Sequence, residues 1–156
     1  MPTFRTSRKP SSQASQATQA PVHYRIEAAD PHARLFTVTL TVAHLQEQQE
    51  LSLPVWIPGS YLVREFSKNL QRLSAQQGRR VPLLQLDKHR WRATCRTDRP
   101  LVLTYEVCAY DSSVRTAWLD ASRGFFNGTS VCLRVHGQED APHALEVAST
   151  AATAHW

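Results

Sequence analysis

Phe36-Thr37-Val38-Thr39-Leu40-Thr41-Val42 alternates apolar and hydroxyl side chains without a break. Successive side chains of an extended strand point to opposite faces, so Phe36, Val38, Leu40 and Val42 share one face and the three threonines the other. β-Branched residues on both faces suit a pleated backbone better than a helix. Upstream, Val22, Tyr24, Ile26 and Ala28 alternate with His23, Arg25 and Glu27, and Asp30-Pro31-His32 supplies the turn between two strands. Downstream, Leu51, Leu53, Val55 and Ile57 continue the alternation, with Pro54 marking that strand as an edge or as bulged.

The period is broken at Trp56-Ile57-Pro58-Gly59-Ser60-Tyr61-Leu62-Val63-Arg64-Glu65-Phe66. Pro58 has no backbone donor and Gly59 readily takes positive φ, so ladder pairing stops and the chain changes direction. Val63, Phe66, Leu70 and Leu73 fit helical spacing, which predicts at most a short helical turn near residues 62–68, followed by a strand from Asn69 to Ala75. Gln77-Gly78 marks a hairpin, Leu84 and Leu86 lead to Asp87-Lys88, and Trp91, Ala93 and Cys95 alternate again. Leu101, Leu103, Tyr105, Val107 and Ala109 form a long strand, half apolar on its other face and hence central. Val114, Thr116 and Trp118, then Val131, Leu133 and Val135, complete the series. The reading is mainly β: an antiparallel β-sandwich or saddle of about nine strands with short turns.

The chain's 156 residues suit one domain, large enough to bury roughly two thirds of its unfolded surface without staples. Its division is a polar, basic tail over 1–20, read as disordered, a β-rich domain over 21–148, and a linker over 149–156. The net charge is +5, but Arg5, Arg8 and Lys9 lie in the acid-free tail, so 5 − 3 leaves +2 for the rest and no basic surface to attract nucleic acid. Arg90 and Arg92 alternate with Trp91, the pattern of a core tryptophan whose strand shows arginines to water. Cys95, Cys108 and Cys132 are odd in number and set in apolar alternation, which reads as reduced core thiols and a cytoplasmic protein. No apolar run reaches the ~20 residues of a membrane helix, so no membrane partner is expected.

The seven histidines include no pair at the i, i+4 spacing of a helical metal site, and there is no His-Glu-x-x-His and no Gly-x-Ser-x-Gly. Glu65, Asp111 and Asp120 are unpaired in sequence and read as turn caps or partners of nearby arginines. A second corner, Arg123-Gly124-Phe125-Phe126-Asn127-Gly128-Thr129-Ser130, sets glycine and asparagine against large aromatics, and three of the five glycines fall in these two corners.

Taken in order, Trp56 to Phe66, Asp87-Lys88 with Trp91, Tyr105 with Tyr110-Asp111-Ser112-Ser113-Val114-Arg115, Leu119-Asp120, and Gly124 to Ser130 resemble the N-terminal domain of the glycyl aminopeptidase family, zinc metallopeptidases that carry a PDZ module. The motifs are in register over about residues 22–147. The resemblance implies a non-catalytic β domain that packs on the family's thermolysin-like catalytic domain, its intramolecular partner, and helps shape the substrate cleft. It implies no catalytic or metal residue in this chain, no cofactor here, and zinc only in the catalytic domain absent from it. Phe125, Phe126, Asn127, Gly128, Trp56, Gly59 and Arg64 are the expected interdomain or cleft contacts, with Asn127 able to offer an amide oxygen to a substrate ammonium. The competing reading has both corners as tight turns with their aromatics in the sandwich's own core, and is preferred for Tyr61 and Trp118. Two other functions stand beside the first: a free-standing β-sandwich that binds a protein without chemistry, and a hydrolase built from dispersed Asp, Glu and His.

Overall fold

A computed structural model describes residues 20–156, so the expected disordered tail lies almost wholly outside the described residues. Twelve strands form: β1 Val22–Asp30, β2 Leu35–Val42, β3 Gln48–Ser52, β4 Leu70–Gln76, β5 Arg80–Val81, β6 Leu83–Asp87, β7 Arg90–Thr94, β8 Leu101–Cys108, β9 Ala117–Leu119, β10 Gly124–Phe126, β11 Arg134–Val135 and β12 His143–Ala148. A 3-10 turn at Phe66–Asn69 and a single α turn, α1, at Gly128–Val131 are the helical pieces among the described residues. The fold is mainly β, as the alternation predicts, with more and shorter strands than the nine read from it.

One sheet has six strands in the order β12-β1-β2-β8-β4-β5, a second has four in the order β11-β3-β7-β6, and β9 and β10 form a separate hairpin. Neighbours pair antiparallel except β12, which runs parallel to β1. Register follows burial: Phe36, Val38, Leu40 and Val42 on β2 sit opposite Val107, Tyr105, Leu103 and Leu101 on β8, all eight buried. A slip by one residue would exchange this set for Thr37, Thr39 and Thr41. Leu51, Trp91 and Ala93 of the second sheet join the same core. Tyr24 and Tyr105 cross between the layers, their hydroxyls donating to the carbonyls of Leu133 and Val131 at 2.6 and 2.7 Å.

Several readings need correction, among them the strand expected from Val114, which begins only at Ala117. The strand expected through Ile57 ends at Ser52, because a residue preceding Pro54 enters a segment that cannot donate to a ladder. The alternation Val131, Leu133, Val135 is split between α1 and the two-residue β11, since Asn127 caps a helical turn there. Gly124–Phe126, read as loop, is strand β10. His143–Ala148, not recognised as a strand, pairs with β1. The short helical turn near residues 62–68 is present, displaced to Phe66–Asn69. Residues 149–156, read as a linker, fold back: Thr150 donates to Ala28 O at 3.1 Å, and the Trp156 indole donates to Ala121 O at 3.0 Å. No helix among the described residues is long and apolar enough to cross a membrane.

Candidate functional site

The first corner is a built turn. Ser60 N–H donates to Ile57 O at 3.1 Å, which places Pro58 and Gly59 at the centre, Gly59 with φ +80°. That order of residues is what a type II turn demands. The turn is then tied from three sides. The Trp56 indole donates to Ser60 O at 2.7 Å, Arg64 Nε donates to the buried Ser60 hydroxyl at 3.1 Å, and Arg64 N–H donates to Val55 O at 2.7 Å. Glu65 takes left-handed dihedrals, φ 46°, and starts the 3-10 turn whose Phe66 is buried.

Tyr61, Leu62 and Val63 are thereby turned outward. Tyr61 is fully exposed at 103%, Leu62 at 64% and Val63 at 67%, while Trp56 keeps half its surface in water. The expectation that Tyr61 tucks into the core is overturned, because the backbone is held by Ser60 and Arg64 in a direction that leaves the ring no apolar neighbour.

Two other segments meet this corner. Arg115, in the loop before β9, donates to Gly59 O at 3.1 Å, next to the exposed Val114. Asn127 N–H and the Ser130 hydroxyl both donate to Thr116 O, at 2.7 and 3.0 Å, joining the α1 loop to that same segment. A small cleft of about 170 Å³ lies at the junction, lined in part by Leu62, Val63, Phe66, Asp111 and Thr116. The sequence singled out both corners; Val114 and Arg115 belong to a motif of the resemblance, but the segment that joins the corners is not among the expected contacts.

The second corner is more inward than the first. Phe126 packs edge-on against Phe36 with ring centroids 5.5 Å apart, and Phe125 is half-buried opposite Trp118. The Asn127 side-chain oxygen accepts from Thr129 N–H at 3.1 Å and from the Thr129 hydroxyl at 2.6 Å, so both its lone pairs serve as the cap of α1. Gly128 has open space where a Cβ would stand. Trp118 is half-buried under Arg34, whose guanidinium carbon sits 4.3 Å from the indole centroid and 4.7 Å from that of Tyr110.

The titratable groups hold structure. Asp120 accepts from the Trp118 indole at 2.8 Å, then from Ser122 and Arg123, and these donors hold its carboxyl far below the usual range. Asp111 caps its own turn through Ser113 N–H at 2.8 Å, and Glu65 meets Lys88 at 3.4 Å. Among the described residues no three His, Cys, Asp or Glu side chains gather closely enough to hold a metal ion.

A family profile described as Peptidase M61 N-terminal domain matches residues 23–156. None of the curated proteins matches. Among solved structures, the chain is similar to an aminopeptidase N family protein from Idiomarina loihiensis, with 44% sequence identity and a TM-score of 0.80. That match covers 84% of this chain and 22% of the other, so the chain spans about a fifth of the length of its solved relative.

Proposed function

This chain belongs to the Peptidase M61 N-terminal domain family, and on that premise we propose that it is the non-catalytic N-terminal β domain of a glycyl-aminopeptidase-like zinc metallopeptidase. In this reading it packs on the catalytic domain and helps shape the cleft that receives the peptide's amino end. The zinc, its ligands and the general base belong to that second domain, and this chain supplies shape and contact area.

The observation that carries the reading is Tyr61-Leu62-Val63, three apolar side chains held in water by a hydrogen-bonded backbone. A loop so fixed has its ordering entropy already met, which favours docking over flexible recruitment. Tyrosine and tryptophan are also the residues that most often anchor such contacts. The three free thiols support a reducing, cytoplasmic setting.

The coding sequence beyond Trp156 supplies the test. A His-Glu-x-x-His in frame, or one frameshift away, is expected; a long open frame of other composition would count against the proposal. In the zinc-bearing protein, Leu62→Ser with Val63→Ser should reduce kcat/KM by about tenfold, while the same pair alters the stability of this domain alone by less than about 0.5 kcal/mol. Unchanged kcat/KM would remove the corner from the interface.

A further inference from the structure

The cleft of about 170 Å³ beside the first corner is lined by both signs of charge. Arg64 and Lys68 line it from the chain before and within the 3-10 turn, and Asp111 from the loop after β8. Opposite charges that share so small a space attract and ordinarily close on each other, as Lys88 closes on Glu65 at 3.4 Å. Here they stay apart. Among the described residues neither Arg64 nor Lys68 comes within 4.0 Å of a carboxylate, and Asp111 meets no cation that closely. Local bonds account for the separation. Arg64 Nε donates to the Ser60 hydroxyl at 3.1 Å, which leaves its two Nη groups without an acceptor among the described residues. Asp111 Oδ1 accepts from Ser113 N–H at 2.8 Å, which leaves Oδ2 open. Thr116 is buried and turns its hydroxyl to the carbonyls of Asp111 and Ser113, so it competes for neither charge.

We propose that this cleft binds a small α-amino acid in its zwitterionic form, glycine being the simplest. The ligand carboxylate takes the free Nη edge of Arg64, with Lys68 beside it, and the ligand ammonium takes Asp111 Oδ2, all charge-assisted hydrogen bonds. The charge pattern selects this class. A phosphate or other pure anion would meet Asp111, and a metal ion or simple amine would meet Arg64 and Lys68, so each is opposed by one side of the cleft. The volume selects a small member. About 170 Å³ is room for roughly five or six waters at ~30 Å³ each, which suits glycine or alanine and excludes an aromatic amino acid. Because Ser60 and Ser113 already fix the two charges, little ordering is left to oppose binding.

The inference does not rest on the proposed peptidase role and is read on this chain by itself. Titrating the 156-residue chain with glycine should move the amide NMR signals of Val63, Asn69, Asp111 and Thr116, with saturation in the millimolar range. Acetate lacks the ammonium and glycinamide lacks the carboxylate, so each should bind at least about tenfold more weakly. Asp111→Asn keeps a side-chain acceptor for Ser113, so the spectrum elsewhere should be unchanged while glycine affinity falls about tenfold. Lys68→Met, at an exposed position, should weaken glycine and acetate together. No saturable shift with glycine overturns the proposal. So does an equal response to glycine, acetate and glycinamide, which would mark simple screening of surface charge. Glycine binding that both substitutions leave intact overturns it as well.

Discussion

Single side chains show how little slack the core has. The Tyr105 hydroxyl donates to Val131 O and accepts from Leu133 N–H at 3.2 Å, so Tyr105→Phe orphans two buried backbone groups while keeping the ring. The expected loss is about 1–3 kcal/mol in denaturant unfolding. Gly124 is limited by space: a Cβ there would lie 2.9 Å from Leu119 Cδ1 and 3.2 Å from Phe36 Cζ. Gly124→Ala should therefore cost about 1–3 kcal/mol through overpacking, measured by thermal unfolding. Gly59 has open space, and its φ of +80° is the constraint, so an alanine there strains backbone without clashing. Burial pushes the Cys132 thiol up from 9.0 to about 12, and raises the Tyr24 and Tyr105 phenols from 10.0. A raised folded pKa of an acid means that the folded state keeps protons the unfolded state releases, so stability is full below pH 9 and falls as pH climbs. Cys132→Ala should make that decline shallower without removing it, because the Cys95 thiol is also raised by burial and still contributes from about the same pH.

At the scale of elements, one carboxylate bridges β3 and β7 of the second sheet. Glu50 on β3 accepts from Arg92 at 2.6 Å and Arg90 at 2.7 Å on β7, and those bonds lower its pKa from 4.5 to about 2. Its contribution is present above pH 4.5 and is lost as pH falls toward 2, so Glu50→Gln should flatten the acid limb of a stability–pH curve. Asn127→Ala, which removes the α1 cap, should cost about 1 kcal/mol in thermal unfolding. What could be read in advance follows the same division. β1, β2, β7 and β8 were legible because each buries one face, which writes period two into the sequence. β12 was illegible because it buries neither face, and β10 because three residues are too few to set a period. Gln49 is buried yet polar, satisfied by donating to the carbonyls of Glu50 and His136, and only the fold reveals those partners. The two corners announced themselves through Pro, Gly and Asn. The outward turn of Tyr61 did not, because it depends on Ser60 and Arg64 closing a local network.

For the molecule as a whole, the buried polar groups hold strands and turns, and the longest run of exposed apolar side chains among the described residues is Tyr61-Leu62-Val63 at the corner. That distribution suits a domain whose work is contact. Dye binding to the isolated chain should be clearly above that of an ordinary monomer of this size, and Leu62→Ser with Val63→Ser should reduce it. The decisive measurement is hydrolysis of an amino-terminal glycyl peptide by the purified 156-residue chain, assayed with and without added zinc. The account predicts no turnover in either case and no retention of stoichiometric zinc. Turnover that a chelator abolishes and that a single substitution within this chain removes would contradict it.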